Sequence, residues 1–201
     1  MTAPGLAGKV VALICRGVDA DRAIAVACAE AGADVALATV EPIQEQEFAT
    51  ASIANEVWAI GRKQFNRLLD SADPASVAAF AAEVWDRLGG CDLLVAAHDH
   101  ASYVSLDELG PDEFAETVKV NLGGPFLAAQ AFGRLMERNG GGRIVFVDAD
   151  APGDVSYRAA KAGLAGLAAR LNEEWAAAGV RAAVVAVRVP ADAASVLEAS
   201  G

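Results

Sequence analysis

The stretch from Lys9 to Ala27, KVVALICRGVDADRAIAVA, constrains the fold more than any other part of the chain. Val10 to Ile14 is an unbroken apolar run, which suits a strand covered on both faces; a strand with one wet face would alternate. The run passes through a short glycine-containing turn into Arg22–Ala31, a series of good helix formers with Gly32 at a helix C-cap position. In a strand–turn–helix of this kind, the free N–H groups of the turn and the positive end of the helix dipole converge where a phosphate can be cradled. Here the turn carries Asp19 and Asp21.

Further apolar runs alternate with helical patterns. Strands are expected at Lys9–Cys15, Asp34–Thr39, Gln64–Leu69, Asp92–Ala97, Arg143–Val147 and Arg181–Val189. Helices are expected from Pro42 to about Ile60, from Asp73-Pro74 to Leu88 with Gly89-Gly90 closing it, and from Val155 to Ala178. Another runs from Pro111 to Asn139-Gly140, kinked at Gly123-Gly124-Pro125. This order reads as an α/β fold: one doubly wound parallel sheet of about six strands with helices on both faces, a single domain over 1–201. Ligands then belong at the carboxyl ends of the strands.

The 201 residues, 54% of them hydrophobic, suffice for one core and not comfortably for two. A formal charge of -11 without any basic stripe argues against a nucleic-acid or anionic-membrane surface. Cys15, Cys28 and Cys91 are odd in number, far apart and without metal spacing, so they read as core residues of a reducing compartment. The opening MTAPGLAGKV lacks the pattern of a signal peptide, and no window reaches membrane-span length. A cytoplasmic protein is expected.

The chain resembles the short-chain dehydrogenase/reductase family from GKVVALIC to about VAVRVP. GKVVALICRGVDADRAIA stands where the family has its glycine-rich cofactor turn, LLDSADPASV resembles its Asp-containing turn after the third strand, and DLLVAAHD falls at its Asn-Asn-Ala-Gly turn. VNLGGPF with Asn121, GRIVFVDAD, and SYRAAKAGLAGLAARL with Tyr157 and Lys161 follow in order. The resemblance implies a Rossmann-like fold. It also implies that Tyr157, Lys161 and Asn121 are catalytic, and that Arg16, Gly17, Asp19, Asp21, Asp70, Ala97 and Lys161 line an NAD(P) site. Tyr157 and Lys161, four apart, share a helix face, and a nearby ammonium would lower the phenol's pKa toward neutrality. By resemblance Tyr157 would pass the proton, Lys161 would also hold the nicotinamide ribose, and Asn121 would support a water relay.

Departures from the family's pattern gather at the chemistry. The cofactor turn reads Ile14-Cys15, Arg16-Gly17-Val18, Asp19-Ala20-Asp21, so aspartates replace its last two glycines. One carboxylate about 4 Å from a phosphate costs on the order of 4 kcal/mol at an effective dielectric of about 20. Arg16 could offset part of this; alternatively Asp19 or Asp21 caps the helix, taking the N–H groups a phosphate would use. The family's catalytic Ser falls on Ala149, flanked by Asp148 and Asp150, and Ala96-Ala97-His98-Asp99 stands for Asn-Asn-Ala-Gly. The Pro-Gly after the sixth strand is missing at Val187-Arg188, although Pro190 follows. Thr39-Val40 offers neither the Asp of an NAD site nor the Arg of an NADP site, with Glu41 a displaced substitute, so the cofactor form stays open. The substrate-covering helices and last strand of the family have no counterpart before Gly201.

The expectation is therefore a degenerate family member with no NAD(P) or only weak binding, no efficient hydride transfer, and a role in binding or assembly. One alternative is an NAD(P)-dependent oxidoreductase of a small carbonyl or alcohol using Tyr157 and Lys161. Another is a divalent-metal pocket among Asp19, Asp21, His98, Asp99, His100, Asp148 and Asp150, for which no ligand spacing speaks. Ala159, Ala162, Leu164, Leu167 and Leu171 form a stripe wide for one buried face. A homodimer, or a heteromer with an active relative, through the helices carrying Asn121 and Tyr157 is expected; the small-molecule ligand is unassigned.

Overall fold

A computed structural model describes residues 5–149, 152–187, 196 and 198. Its six-stranded sheet is parallel throughout, with strands β1 Val10–Cys15, β2 Asp34–Thr39, β3 Gln64–Arg67, β4 Leu93–Ala97, β5 Gly142–Asp148 and β6 Val180–Ala186 in the spatial order β3-β2-β1-β4-β5-β6. The order reverses between β1 and β4, which opens a crevice there at the carboxyl ends. Helices are α1 Asp19–Glu30, α2 Gln44–Ala59, α3 Pro74–Leu88, α4 Pro111–Val118, α5 Gly124–Arg138 and α6 Val155–Trp175. The expected doubly wound α/β architecture is thus the observed one.

Burial explains the unbroken apolar runs. Val10, Ala12 and Ile14 of β1 face one core with Phe80 of α3, Phe132 of α5 and Leu164 of α6, whereas Val11, Leu13 and Cys15 face the other with Ile24 of α1 and Ile53 of α2. Both faces of each central strand are dry, so every position is apolar. The cysteines are free and buried. Local signals behave as their chemistry requires: the Asp73 carboxylate accepts from the N–H groups of Ala75 and Ser76, Pro74 fills the first helical turn of α3, and Gly89 ends that helix at φ 87°.

Several boundaries differ from the sequence reading. α2 begins at Gln44, two residues beyond Pro42, and β3 stops at Arg67, with Leu69 buried beyond it. The expected kink at Gly123-Gly124-Pro125 is a π-helical turn, Lys119–Gly123, joining α4 to α5 without a break. Pro125 has no N–H to give, and the Gly124 N–H reaches back five residues to the Lys119 carbonyl. α6 ends at Trp175 in a 3-10 turn, Ala176–Ala178. Asp150, Arg188 and Pro190 lie outside the described residues.

Candidate functional site

The crevice collects the loop after β1, the loop after β4, the end of β5, the start of α6 and the π-helical turn. In the first loop Gly17 has φ 84°, and a Cβ there would stand 2.4 Å from the Ala49 Cβ, so this glycine is required on both conformational and steric grounds. The Asp21 carboxylate folds back onto the loop, with Oδ2 accepting from the N–H of Gly17 at 2.9 Å and of Val18 at 3.1 Å. Of the two capping candidates, Asp21 makes the contact; it is 5% exposed. Burial pushes its pKa up to about 7, with Asp99 adding repulsion and the loop N–H groups pulling the other way.

Arg16 does not point at a phosphate cradle. Its Nη1 lies 3.2 Å from Glu41 Oε2 and 3.4 Å from His100 Nδ1, so that the ends of β1, β2 and β4 are tied across the crevice. Asp70 braces its own turn, its Oδ1 accepting from the Ala72 N–H at 2.9 Å. Ala97 ends β4 and is buried at the crevice floor.

Tyr157 and Lys161 share one face of α6, as their spacing requires. Lys161 Nζ donates to the carbonyls of His98 at 2.6 Å and Val147 at 3.2 Å, which fastens α6 to the ends of β4 and β5. Asn121 turns inward from the π-helical turn: its Oδ1 accepts from the His100 N–H, and its Nδ2 donates to the carbonyls of His100 and Thr117. Its amide therefore pins the β4 loop. The Tyr157 hydroxyl donates to Asp99 Oδ1 at 2.6 Å, and Asp99 Oδ1 stands 3.8 Å from Lys161 Nζ.

The expected lowering of the phenol pKa is overturned. Burial first, then the bond to Asp99 and the fields of Asp99 and Asp148, push the Tyr157 pKa up. Burial lowers that of Lys161, opposed by Asp99, Asp148 and Asp21. The Asp99–Tyr157 pair escaped the sequence reading, which treated Asp99 as a metal-ligand candidate. Its signal was an Asp at the end of a turn where the family has Gly, facing a Tyr–Lys helix.

The two histidines diverge. His98 is 1% exposed, its ring against Gly124, where a Cβ would fall 2.7 Å from the imidazole Cδ2. Neither ring nitrogen has a partner among the described residues, and burial, with the Lys161 charge, lowers its pKa to about 3. His100 instead joins Arg16 and Glu41. Among the described residues no group of three or more His, Cys, Asp or Glu is placed to hold a metal ion.

As the side chains stand, the crevice is narrow between the loops after β1 and β4. The cavity bounded by Val18, Asp21, Ala97, Asp99, Ala149 and Val187 holds about 30 Å³. Pockets for small ligands run from about 300 to 1,000 Å³, so this cavity alone has room for no more than a few waters. Ala149 offers no hydroxyl, and the loop N–H groups are taken by Asp21.

Comparison with known proteins gives this geometry its context. The profile described as short chain dehydrogenase matches residues 16–191. A D-threitol dehydrogenase of Mycolicibacterium smegmatis is 38% identical over 117 residues, 56% of this chain and 45% of that protein. An uncharacterized oxidoreductase of Thermotoga maritima is 28% identical over 179 residues, 87% of this chain and 68% of that one. The chain thus spans about half the length of the first relative and two thirds of the second. Among solved structures, a putative short-chain alcohol dehydrogenase from Sinorhizobium meliloti superposes with a TM-score of 0.84 at 29% identity, covering 93% of this chain and 74% of that one. A metagenomic short-chain oxidoreductase in complex with NADP gives 0.82 at 26%, covering 98% and 92%.

Proposed function

The chain belongs to the short-chain dehydrogenase family, and on that premise we propose that it is a family member whose cofactor cleft is filled by its own acidic side chains. NAD(P) binding is then weak, hydride transfer inefficient, and the work of the protein is binding or assembly. The observation that carries this is the Asp21 carboxylate on the Gly17 and Val18 N–H groups. Those donors and the end of the α1 dipole would serve a phosphate, and a buried carboxylate already satisfies them. The missing hydroxyl at Ala149 and the 30 Å³ cavity agree. The test is a fluorescence titration of NADH and NADPH into the protein: no saturation at millimolar cofactor is expected, and a stoichiometric micromolar complex rejects the reading.

The second reading is an NAD(P)-dependent oxidoreductase of a small carbonyl or alcohol, and the relatives weigh toward it more than toward the first. One relative is a D-threitol dehydrogenase and one structural neighbour a short-chain oxidoreductase in complex with NADP, and Tyr157, Lys161 and Asn121 keep one packed frame at the strand ends. A nicotinamide cofactor would supply the hydride. For this chain's residues to use it, Tyr157 would have to release Asp99 and offer its hydroxyl proton to the substrate oxygen, with Lys161 balancing the phenolate. Turnover on a broad carbonyl and alcohol panel that Tyr157→Phe abolishes would establish this reading over the first.

Assembly has its own support. The stripe on α6 divides: Leu164 and Leu171 are buried in the core, while Ala159 and Ala162 are exposed. Val118, Leu122, Phe126, Gly163 and Leu167 line a shallow apolar groove of about 420 Å³ between α6 and the helices around Asn121. This is the face proposed to meet a second copy or an active relative. No helix among the described residues is long and apolar enough to cross a membrane.

A further inference from the structure

Two contacts in the crevice carry the self-filled reading further. Each is a carboxylate resting on hydrogen-bond donors that face the crevice. Asp21 satisfies the Gly17 and Val18 N–H groups at 2.9 and 3.1 Å; Asp99 satisfies the Tyr157 hydroxyl at 2.6 Å and lies 3.8 Å from the Lys161 ammonium. The two acids border one small cavity, and the charge of Asp99 helps hold the Asp21 pKa up. Around them the donors stay in place, because they belong to the backbone of a tight turn, to a tyrosine 2% exposed and to a lysine tied to two carbonyls. His98 borders the same cavity, 1% exposed with neither ring nitrogen partnered among the described residues. A crevice that had lost its binding chemistry would have lost these donors too; this one keeps them and covers them.

We propose that Asp21 and Asp99 are internal occupants of this crevice, standing on the donors that a phosphate-bearing ligand would use, and that removing both carboxylates opens it to an anionic nucleotide. This rests on the reading of a self-filled cleft and adds its mechanism: competition between the chain's own carboxylates and an external anion for the same donors. The hydrogen bonds of Asp21 to two N–H groups must be broken before a phosphate can take them. The repulsion is local to these two carboxylates and differs from the general effect of a protein of net charge -11.

The test compares the parent chain with Asp21→Gly, Asp99→Gly, the double variant and, as a control for charge alone, Glu30→Gln, an exposed acid at the far end of α1. NADH and ADP are titrated by calorimetry, with circular dichroism and melting curves establishing that each variant is folded. The double variant should bind NADH at least tenfold more tightly than the parent, and more tightly than either single variant, with Glu30→Gln close to the parent. A folded double variant no tighter than Glu30→Gln overturns the proposal. Absorbance at 295 nm gives a second readout that needs no ligand. The chain has two tyrosines, and Tyr103, 70% exposed, serves as the internal standard. Asp99→Gly should bring the ionisation of the buried tyrosine to lower pH; an unchanged titration curve rejects the Asp99 clamp. Micromolar binding by the parent would reject the self-filled reading instead, whatever the variants do.

Discussion

The hydroxyl of Tyr157 and the carboxylate of Asp99, 58 residues apart in sequence, are 2.6 Å from each other, and the tyrosine gives its one proton to that contact. A donor committed to an ionised acceptor cannot at the same time polarise a carbonyl. The pair is therefore a structural contact with a measurable energy. In a double-mutant cycle of Tyr157→Phe and Asp99→Ala, urea unfolding should give a coupling of about 1.5 kcal/mol, the low end for a hydrogen bond to a charged group because Asp99 is partly exposed. Simple additivity would mean that the contact carries no energy.

Asp21 sets a pH dependence of stability. Its folded pKa of about 7 lies above the unfolded value of about 3.9, so between these limits the folded state holds a proton that the unfolded chain has released. Stability from this group is greatest below about pH 4 and falls as pH rises through 7. His98 acts in the opposite sense: held neutral down to a pKa of about 3 by burial, it removes stability as pH falls below the unfolded value of about 6.5. Asp21→Asn keeps a carbonyl oxygen for the loop N–H groups and removes the ionisation. The variant should therefore gain on the parent from pH 4.5 to 8, by at most about 4 kcal/mol at about 1.4 kcal/mol per pKa unit. Melting curves at three pH values decide it, and a constant gap would contradict it.

Lys161 holds the crevice together as a cation among acids. It is 6% exposed and donates to two carbonyls, and Asp99, Asp148 and Asp21 all favour its charge. Lys161→Met keeps most of the volume and removes the charge, leaving the carbonyls and the acids uncompensated. A loss of about 3 kcal/mol in urea unfolding is expected, with Lys161→Arg recovering less than half because a planar guanidinium does not fit a site made for a compact ammonium. A loss below about 1 kcal/mol would mean that water replaces the ammonium at no cost.

The central strands β1 and β4 were legible because both their faces are dry, which writes each as an apolar run, and the helix ends because Asp73-Pro74 and Gly89 mark them through local chemistry alone. The π-helical turn was not: Gly123-Gly124-Pro125 reads as an interruption, whereas the Gly124 N–H reaches back to the Lys119 carbonyl and the His98 ring lies where a Gly124 side chain would be. The positions of Tyr157, Lys161 and Asn121 could be read from spacing and resemblance. Their partners could not, since Asp99, His98 and His100 come from another loop, and which way a loop side chain turns depends on tertiary contacts. Asp21 was half legible: its capping chemistry is local, but its burial, and hence its raised pKa, comes from the packed crevice around it.

Gly17 and Gly140 separate conformational strain from steric overlap. Both have positive φ, 84° and 94°, but a Cβ at Gly17 would lie 2.4 Å from the Ala49 Cβ, whereas nothing lies within 4 Å of one at Gly140. Gly140→Ala should cost about 1 kcal/mol, the left-handed penalty alone. Gly17→Ala adds displacement of the first turns of α2 and should cost about 2–4 kcal/mol. Equal losses in urea unfolding would show that the β1 loop yields to accommodate the methyl group.

The groove on α5 and α6 makes the last prediction one of assembly. Phe126 is 44% exposed, and Leu167 is half-buried on the facing helix, in a groove whose lining is almost wholly apolar. An apolar groove beside an exposed Phe is a candidate contact surface. If two copies meet there, light scattering behind size exclusion should report twice the chain mass of 20.5 kDa. Leu167→Arg would then place a guanidinium on the two-fold face and give the single-chain mass. Leu167 is half-buried and packs against the core at this face, so far-ultraviolet circular dichroism and a melting curve must first show the variant folded before its mass is read. A parent that already runs at 20.5 kDa rejects the homodimer and leaves the heteromer with an active relative, which co-expression of such a relative with the parent and the Leu167→Arg variant would then test.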